Sequence, residues 1–149
     1  MDKPVVTTVN AHTQFSASLK HLPSMLAWLR KHLHTLGCDE INIRKIELAT
    51  EEALVNIIEH AYREKPGDLS IELRHPTASQ FELVLKDQGP PFNPLHQQTG
   101  FDPLATLEER KIGGLGIFFM RQYMDKIHYT RIGEMNVLTL IKDTTHEER

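Results

Sequence analysis

Residues 45–62 read KIELATEEALVNIIEHAY, a stretch without glycine or proline that predicts one long helix. Glu52 and Asn56 lie four positions apart, so their side chains share one face of this helix. A glutamate and an asparagine at this spacing are usually solvated surface, but they can also be a general base beside a metal ligand. Glu51 and Glu59 are alternatives to Glu52 on the same helix. Apolar residues on another side predict a core-facing row: Ile43, Ile46, Ala49, Ala53, Ile57 and Ala61.

The segment before this helix predicts a strand and a first helix. Alternating apolar residues and serines at 15–19 predict the strand. Leucines and a methionine at three- and four-residue steps over 22–36 predict an amphipathic helix, with Pro23 in its first turn and Gly37 at its end. Asp39 is the expected N-cap of the central helix.

The segment after the central helix predicts two hairpins and a third helix. Alternation over 69–74 and over 81–86, with a short loop between them, predicts an antiparallel pair. A helix that is apolar almost all round is expected at 117–124, and a second hairpin at 127–142. The polar tail 143–149 is expected to be disordered.

This order of elements predicts an α+β protein. Helices that cover one face of a mixed, largely antiparallel sheet make a two-layer α/β sandwich. The chain of 149 residues is expected to form a single domain over residues 1–149, with a core at about 13–142.

Composition excludes several classes of protein. The net charge of −3 argues against a nucleic-acid binder, which is usually basic. The one cysteine, Cys38, cannot form an internal disulfide, which favours a reducing compartment. No apolar run reaches membrane-spanning length, and the N-terminus lacks the apolar core of a signal peptide. The sequence therefore predicts a cytoplasmic protein that does not bind a membrane or nucleic acid directly.

Two further pieces suggest a ligand site. Asp87 falls at the end of a predicted strand and can accept a hydrogen bond from an exocyclic amine such as that of adenine, while Gly89 lets the backbone approach a flat ligand. The alternative is an ordinary turn, since Asp and Gly are common in turns. The second piece, Gly113-Gly114-Leu115-Gly116, enters a helix and offers free backbone N–H groups to phosphate, with Arg110 and Lys111 just before it. The alternative there is a flexible joint.

The second piece is not one of the common nucleotide-binding loops. It has no Gly-Lys-Ser/Thr of a P-loop and does not follow a strand in a βαβ unit. The H-R-D and D-F-G motifs of eukaryotic-type protein kinases are absent from the sequence.

Together, the three pieces resemble the N, G1 and G2 boxes of the Bergerat-fold ATPases, which include DNA gyrase and the histidine kinases. The sequence is most similar to the bacterial anti-sigma-factor serine/threonine kinases of the stress-response and sporulation type. The similarity lies in EALVN with EHAY at 52–62, DQGPPF at 87–92 and GGLGI at 113–117, and it covers residues 22–142. Pro90-Pro91 stands where many relatives have a second glycine. The chain also has no room for the helical phosphoacceptor domain of a complete sensor kinase.

The resemblance implies a role for each motif. Glu52 would be the catalytic base that accepts the proton of a substrate serine or threonine, and Asn56 would bind Mg²⁺. Asp87 would read the adenine amino group above Gly89, and residues 93–112 would be the ATP lid. The implied ATP-binding residues are Asn56, His60, Asp87, Gly89, Phe92, Arg110, Lys111, Gly113, Gly114, Leu115 and Gly116.

The resemblance also implies partners. Such kinases bind a sigma factor in one state and phosphorylate an anti-anti-sigma antagonist in the other, and they form homodimers. The partner face would include Trp28, Arg30 and His34. Two alternatives stay open: a module that holds ATP or ADP and sequesters a partner without catalysis, and the catalytic part of a histidine kinase relay.

Overall fold

The protein is seen in a computed structural model that describes residues 8–62, 67–96 and 120–147. The described helices and strands, in chain order, are β1 (Val9–Ser16), α1 (Leu22–Thr35), α2 (Glu40–Ala61), β2 (Asp68–Thr77), β3 (Gln80–Asp87), β4 (Lys126–Ile132) and β5 (Met135–Asp143). Short 3-10 turns lie at Leu19–His21, Pro94–His96 and Thr144–Glu147.

The strands form one sheet in the order β1-β2-β3-β5-β4, and each neighbouring pair is antiparallel. Both predicted hairpins are confirmed, as β2–β3 and β4–β5. Because β3 and β5 are antiparallel neighbours, the end of β3 faces the start of β5, with Asp87 opposite Asn136. Two chain segments far apart in sequence therefore meet at one end of the sheet.

The core lies between the two helices and one face of the sheet. Side chains alternate along each strand, so every second residue points to the helices. The apolar described residues with no exposed surface are Met25, Leu29, Leu33, Ile43, Ala49, Ala53, Leu54, Leu69, Ile71, Leu73, Leu85, Met120 and Leu140. Helices on one face of an antiparallel sheet confirm the predicted two-layer α+β architecture.

Both helices follow the predicted pattern. All six residues of the expected core row of α2 are buried. Gly37 has a φ of 87° just after α1, a conformation that other residues rarely adopt. Asp39 is the N-cap of α2, but its Oδ1 accepts from the Asn42 side chain at 2.6 Å rather than from a backbone amide. No helix in the described ranges is long and apolar enough to cross a membrane.

Two expectations at the ends of the chain were wrong. The first strand ends at Ser16 instead of reaching residue 19, because the Ser18 hydroxyl accepts from Lys20 N at 3.2 Å and begins a 3-10 turn. The tail continues as a 3-10 turn over Thr144–Glu147 instead of being disordered, because Thr144 N donates to Ser79 O at 2.8 Å. Of the expected third helix at 117–124, residues 120–124 are described: residues 120–123 are helical and Met124 is not.

Leu29→Ala should lower the free energy of unfolding by about 2–5 kcal/mol, because it removes a fully buried side chain and leaves a cavity under α1. Leu48→Ala makes the same change on α2 at a position that is 43% exposed, and should cost less than about 1 kcal/mol. Chemical denaturation followed by circular dichroism measures both costs. Equal costs would contradict the core described here.

Candidate functional site

The C-terminal half of α2 carries a polar row that leads to the end of β3. Glu52, Asn56 and His60 follow one another at four-residue steps, so they lie along one face of the helix. The His60 ring stacks on Phe92 with centroids 4.8 Å apart and an interplanar angle of 23°. The helix face is thereby joined to the segment that follows β3, where Asp87 lies.

This face is not the solvated surface that a Glu/Asn pair usually occupies. Asn56 is only 4% exposed, and Glu52 is half-buried. Burial raises the pKa of the Glu52 carboxyl above its ordinary value, and the nearby carboxylates of Glu51 and Glu59 raise this pKa further. A carboxylate with a raised pKa is a stronger proton acceptor, as a general base requires.

Asp87 is buried at the strand end with 3% exposure. Its Oδ1 accepts two hydrogen bonds, from Gly89 N and from Asn136 Nδ2, each at 2.9 Å. Burial raises the pKa of Asp87 above its ordinary value, while these two hydrogen bonds and the Arg131 guanidinium act in the opposite direction. The effect of burial on the Asp87 pKa is thus larger than the opposing effect of these described donors.

Asn136 is a site residue that the sequence analysis missed. Its Nδ2 donates to Asp87 Oδ1 and to Pro90 O, both at 2.9 Å, while its Oδ1 accepts from Phe92 N at 3.2 Å and from the Tyr129 hydroxyl at 2.5 Å. The one available signal was a polar residue two positions before Leu138 and four before Leu140, on the inward face of β5 that also carries the buried Lys142. Its link to Asp87 depends on the β3–β5 pairing, which no local pattern indicates.

Tyr62 joins the end of α2 to the strand ends. Its hydroxyl accepts from Gln88 N at 2.6 Å and donates to Asp68 O at 2.8 Å. Gly89 lies directly against the same helix end, since a Cβ on Gly89 would come within 2.6 Å of Ala61 Cβ and 2.7 Å of Ala61 O. This contact alone requires a glycine, and the position of Gly89 beneath an adenine ring stays a prediction.

Several predicted site residues lie outside the described residues. They are Arg110, Lys111, Gly113, Gly114, Leu115 and Gly116, together with residues 97–112 of the expected lid. The described start of that lid is a 3-10 turn at Pro94–His96, which begins where Asn93 Oδ1 accepts from Leu95 N at 2.9 Å. Of the predicted set, the structure joins His60 to Phe92 and Asp87 to Gly89, while Glu52 and Asn56 lie on the helix face that His60 continues.

The donors present fit a magnesium ion that is held mainly by phosphates. Within residues 8–62, 67–96 and 120–147, no group of three or more His, Cys, Asp or Glu side chains could hold a metal. Mg²⁺ commonly takes one or two protein oxygens, keeps several waters and binds substrate phosphates. Asn56, on this helix face, has a carboxamide oxygen of that kind and would be the residue to hold the ion.

Two of the residues expected at a partner face, Arg30 and His34, join α1 to α2, while the Trp28 ring lies against His32 of α1 itself. Arg30 forms ion pairs with Glu40 and, at 3.2 Å, with Glu47. His34 Nε2 lies 3.4 Å from Glu40 Oε2. These ion pairs give Arg30 and His34 a structural role within the fold. Their role at a partner face stays a prediction.

Comparison with known proteins places these features in a family. The sequence matches the family described as histidine kinase-like ATPase domain over residues 15–142. The serine-protein kinase RsbW of Bacillus licheniformis is 29% identical over 96 residues, which are 62% of this chain and 59% of that kinase. The serine/threonine-protein kinase BtrW of Bordetella bronchiseptica is 33% identical over 104 residues, 68% of this chain and 71% of that kinase. The match thus spans less than two thirds of the Bacillus relative.

Solved structures share the fold. The RsbU and RsbW domains of a Mycobacterium tuberculosis protein match with a TM-score of 0.58 and 16% identity, covering 90% of this chain and 32% of that one. The catalytic domain of the histidine kinase ThkA matches with a TM-score of 0.53 and 17% identity, covering 93% of this chain and 99% of that one.

Gly89→Ala should lower the free energy of unfolding by roughly 1–3 kcal/mol, because the added methyl overlaps Ala61 and forces the strand end away from α2. Part of this cost should disappear when Ala61→Gly removes the facing Cβ. A double-mutant cycle by chemical denaturation measures the coupling. Strictly additive costs would contradict a direct contact between these residues.

Proposed function

We propose that this chain, which belongs to the histidine kinase-like ATPase domain family, is an ATP-dependent protein-serine/threonine kinase. The observation that carries the proposal is that the helix face with half-buried Glu52 and buried Asn56 continues to His60, whose ring stacks on Phe92 in the segment that follows buried Asp87. Serine and serine/threonine kinases among the relatives support the same reaction.

Each residue has a distinct role in the proposed reaction. Asp87 accepts a hydrogen bond from the adenine amino group, and Asn56 supplies an oxygen to Mg²⁺, which when bound would neutralise phosphate charge. Glu52 accepts the hydroxyl proton as the substrate oxygen bonds to the γ-phosphorus and the bond to ADP breaks. Phosphoryl transfer depends mainly on positioning and charge stabilisation, which this set provides. Residues 110–116 complete the phosphate contacts in this proposal.

The proposed setting is a partner switch in the cytoplasm. The chain would form a homodimer, bind a sigma factor in one state and phosphorylate an anti-anti-sigma antagonist on Ser or Thr in the other. The resemblance of the three motifs to anti-sigma-factor kinases supports this setting. The net charge of −3 also fits a protein that acts on other proteins rather than on nucleic acid.

Glu52→Ala should abolish phosphate transfer to a candidate antagonist while ATP still binds, because the base contributes to the chemical step and not to adenine recognition. A loss of roughly 100-fold or more is expected for a general base. Labelled ATP measures transfer, and calorimetry measures ATP binding.

The matched control is Glu82→Ala, which removes a partly buried glutamate from the opposite face of the sheet and should leave transfer unchanged. Undiminished transfer by Glu52→Ala would exclude the assigned base. A wild-type chain that binds ATP and leaves the antagonist unlabelled would instead identify a binding module.

Acidification should slow transfer, because Glu52 accepts a proton only in its ionised form and its pKa is raised above the ordinary value. Glu51→Gln removes a neighbouring negative charge and should lower the Glu52 pKa, so activity should persist to lower pH than in the wild type. The measurement is the initial transfer rate as a function of pH. An unchanged acid limb would show that another group controls it.

A further inference from the structure

The Asn136 side chain faces only complementary partners. Its Nδ2 lies against acceptors alone: the Asp87 carboxylate and the carbonyl oxygens of Pro90, at 2.9 Å, and Gly89, at 3.4 Å. Its Oδ1 lies against donors alone, the amide of Phe92 and the hydroxyl of Tyr129. Rotation of the amide by 180° would set oxygen against oxygen, so the partners fix a single orientation.

This orientation determines which carboxylate oxygen faces a ligand. Both hydrogen bonds that the described residues donate to Asp87 end on Oδ1, one from Gly89 and one from Asn136. Oδ2 is therefore the oxygen left for a ligand's amino group. Because Asn136 is 4% exposed and Asp87 is 3% exposed, water competes little with this arrangement.

The same network shapes the segment that follows Asp87. Asn136 holds Pro90 O and Phe92 N, and Arg131 Nη1 donates to Gly89 O at 2.7 Å. The Asn136 side chain thus fixes both the direction of the Asp87 carboxylate and the position of the backbone that follows it. Loss of Asn136 would leave several buried polar groups without a partner, which makes the arrangement costly to alter.

We propose that Asn136 is a positioning residue for base recognition: it holds Asp87 as an ionised acceptor aimed at the 6-amino group of a purine nucleotide. The inference rests on the proposed function. It adds the residue that makes ligand binding depend on the 6-amino group. An ionised carboxylate can only accept, so it favours a ligand that donates at this position. Without Asn136 the charged form loses a donor, and the carboxyl loses its fixed direction.

The groups that face Asp87 come from two other elements. Arg131 of β4 favours the ionised carboxyl, and the Tyr62 hydroxyl at the end of α2 lies close enough for Asp87 to raise the pKa of Tyr62, which burial raises most. Both groups remain in an Asn136 variant. A change in the behaviour of Asp87 in that variant is therefore due to the lost amide.

The test compares two ligands that differ only in the 6-amino group: ATP and purine riboside triphosphate, which has hydrogen in its place. Asn136→Leu keeps the approximate size of the side chain and removes all its hydrogen bonds. The preference of the wild type for ATP should fall roughly tenfold or more in this variant, the range for a hydrogen bond to a charged group. Asp87 also loses a donor that favours its ionised form, so it should be protonated at a higher pH than in the wild type. As the pH is lowered, the remaining preference for ATP should therefore disappear earlier in the variant.

A milder variant keeps the test valid if Asn136→Leu does not fold. Tyr129→Phe keeps the ring and removes only the hydroxyl that donates to Asn136 Oδ1. It should reduce the preference for ATP roughly threefold, as expected for one neutral hydrogen bond. The matched control is Asn42→Leu, which removes another buried asparagine, on α2, and should leave the preference unchanged.

The outcomes separate this inference from the proposed function. Equal weakening of both ligands in Asn136→Leu and Tyr129→Phe, with the preference and its pH profile intact, would overturn the positioning role alone. A wild-type chain that binds neither triphosphate would overturn the proposed function itself. A reduced preference in these variants and not in Asn42→Leu would establish the role of Asn136.

Discussion

The packing of α2 against the sheet fixes the direction of every polar side chain that the helix contributes to the site. Half of its 22 residues are buried, so rotation of the helix about its own axis would expose part of the apolar row. Small residues in this row, Ala49, Ala53 and Ala61, let the helix lie close to its neighbours. The contact of Ala61 with Gly89 shows how close this approach is at the C-terminal end. Glu52 and Asn56 thus take their orientation from the core, before any ligand is present.

The sheet provides the second half of the site through the pairing of β3 with β5. Asp87 and Asn136 are direct partners in this pairing, as are Leu85 and Leu138 one step deeper in the core. Because side chains alternate along a strand, a one-residue slip would turn Asn136 to the outer face and bring Val137 opposite Asp87. The apolar partners therefore set the register that the polar pair requires. Stability of the core and geometry of the site depend on the same alignment.

The parts of the fold that could be predicted from sequence are those with a local period. The apolar row of α2 and the alternation in both hairpins repeat every few residues, and the structure agrees with them. The prediction of a strand over 15–19 was wrong, because the alternation of apolar residues and serines continues past Ser16 into a turn that Ser18 begins. The prediction of a disordered tail was wrong for the part that begins at Thr144, because the residue that holds it, Ser79, lies far away in the sequence.

The candidate site divides in the same way. Glu52 and Asn56 belong to one local motif and Asp87 to another. Each motif is visible within a short stretch of sequence, so these residues could be proposed from sequence alone. Asn136 could not, because its importance comes from a pairing between strands that are distant in the chain. For Gly89 the position could be read from sequence but the contact could not, since the requirement for glycine comes from Ala61 on another element.

The buried carboxylates show how a structural role differs from a functional one. Glu72 is 8% exposed, yet its pKa is lowered, because Lys86 at 2.8 Å and Arg74 at 2.9 Å outweigh the effect of burial, which alone would raise it. Glu52 and Asp87 keep raised pKa values, because no such pair of cations among the described residues compensates their burial. A fold gains nothing from an uncompensated carboxylate, since burial of charge costs free energy. That cost is understandable where a ligand or a substrate proton supplies the missing partner, which is the role proposed here for Glu52 and Asp87.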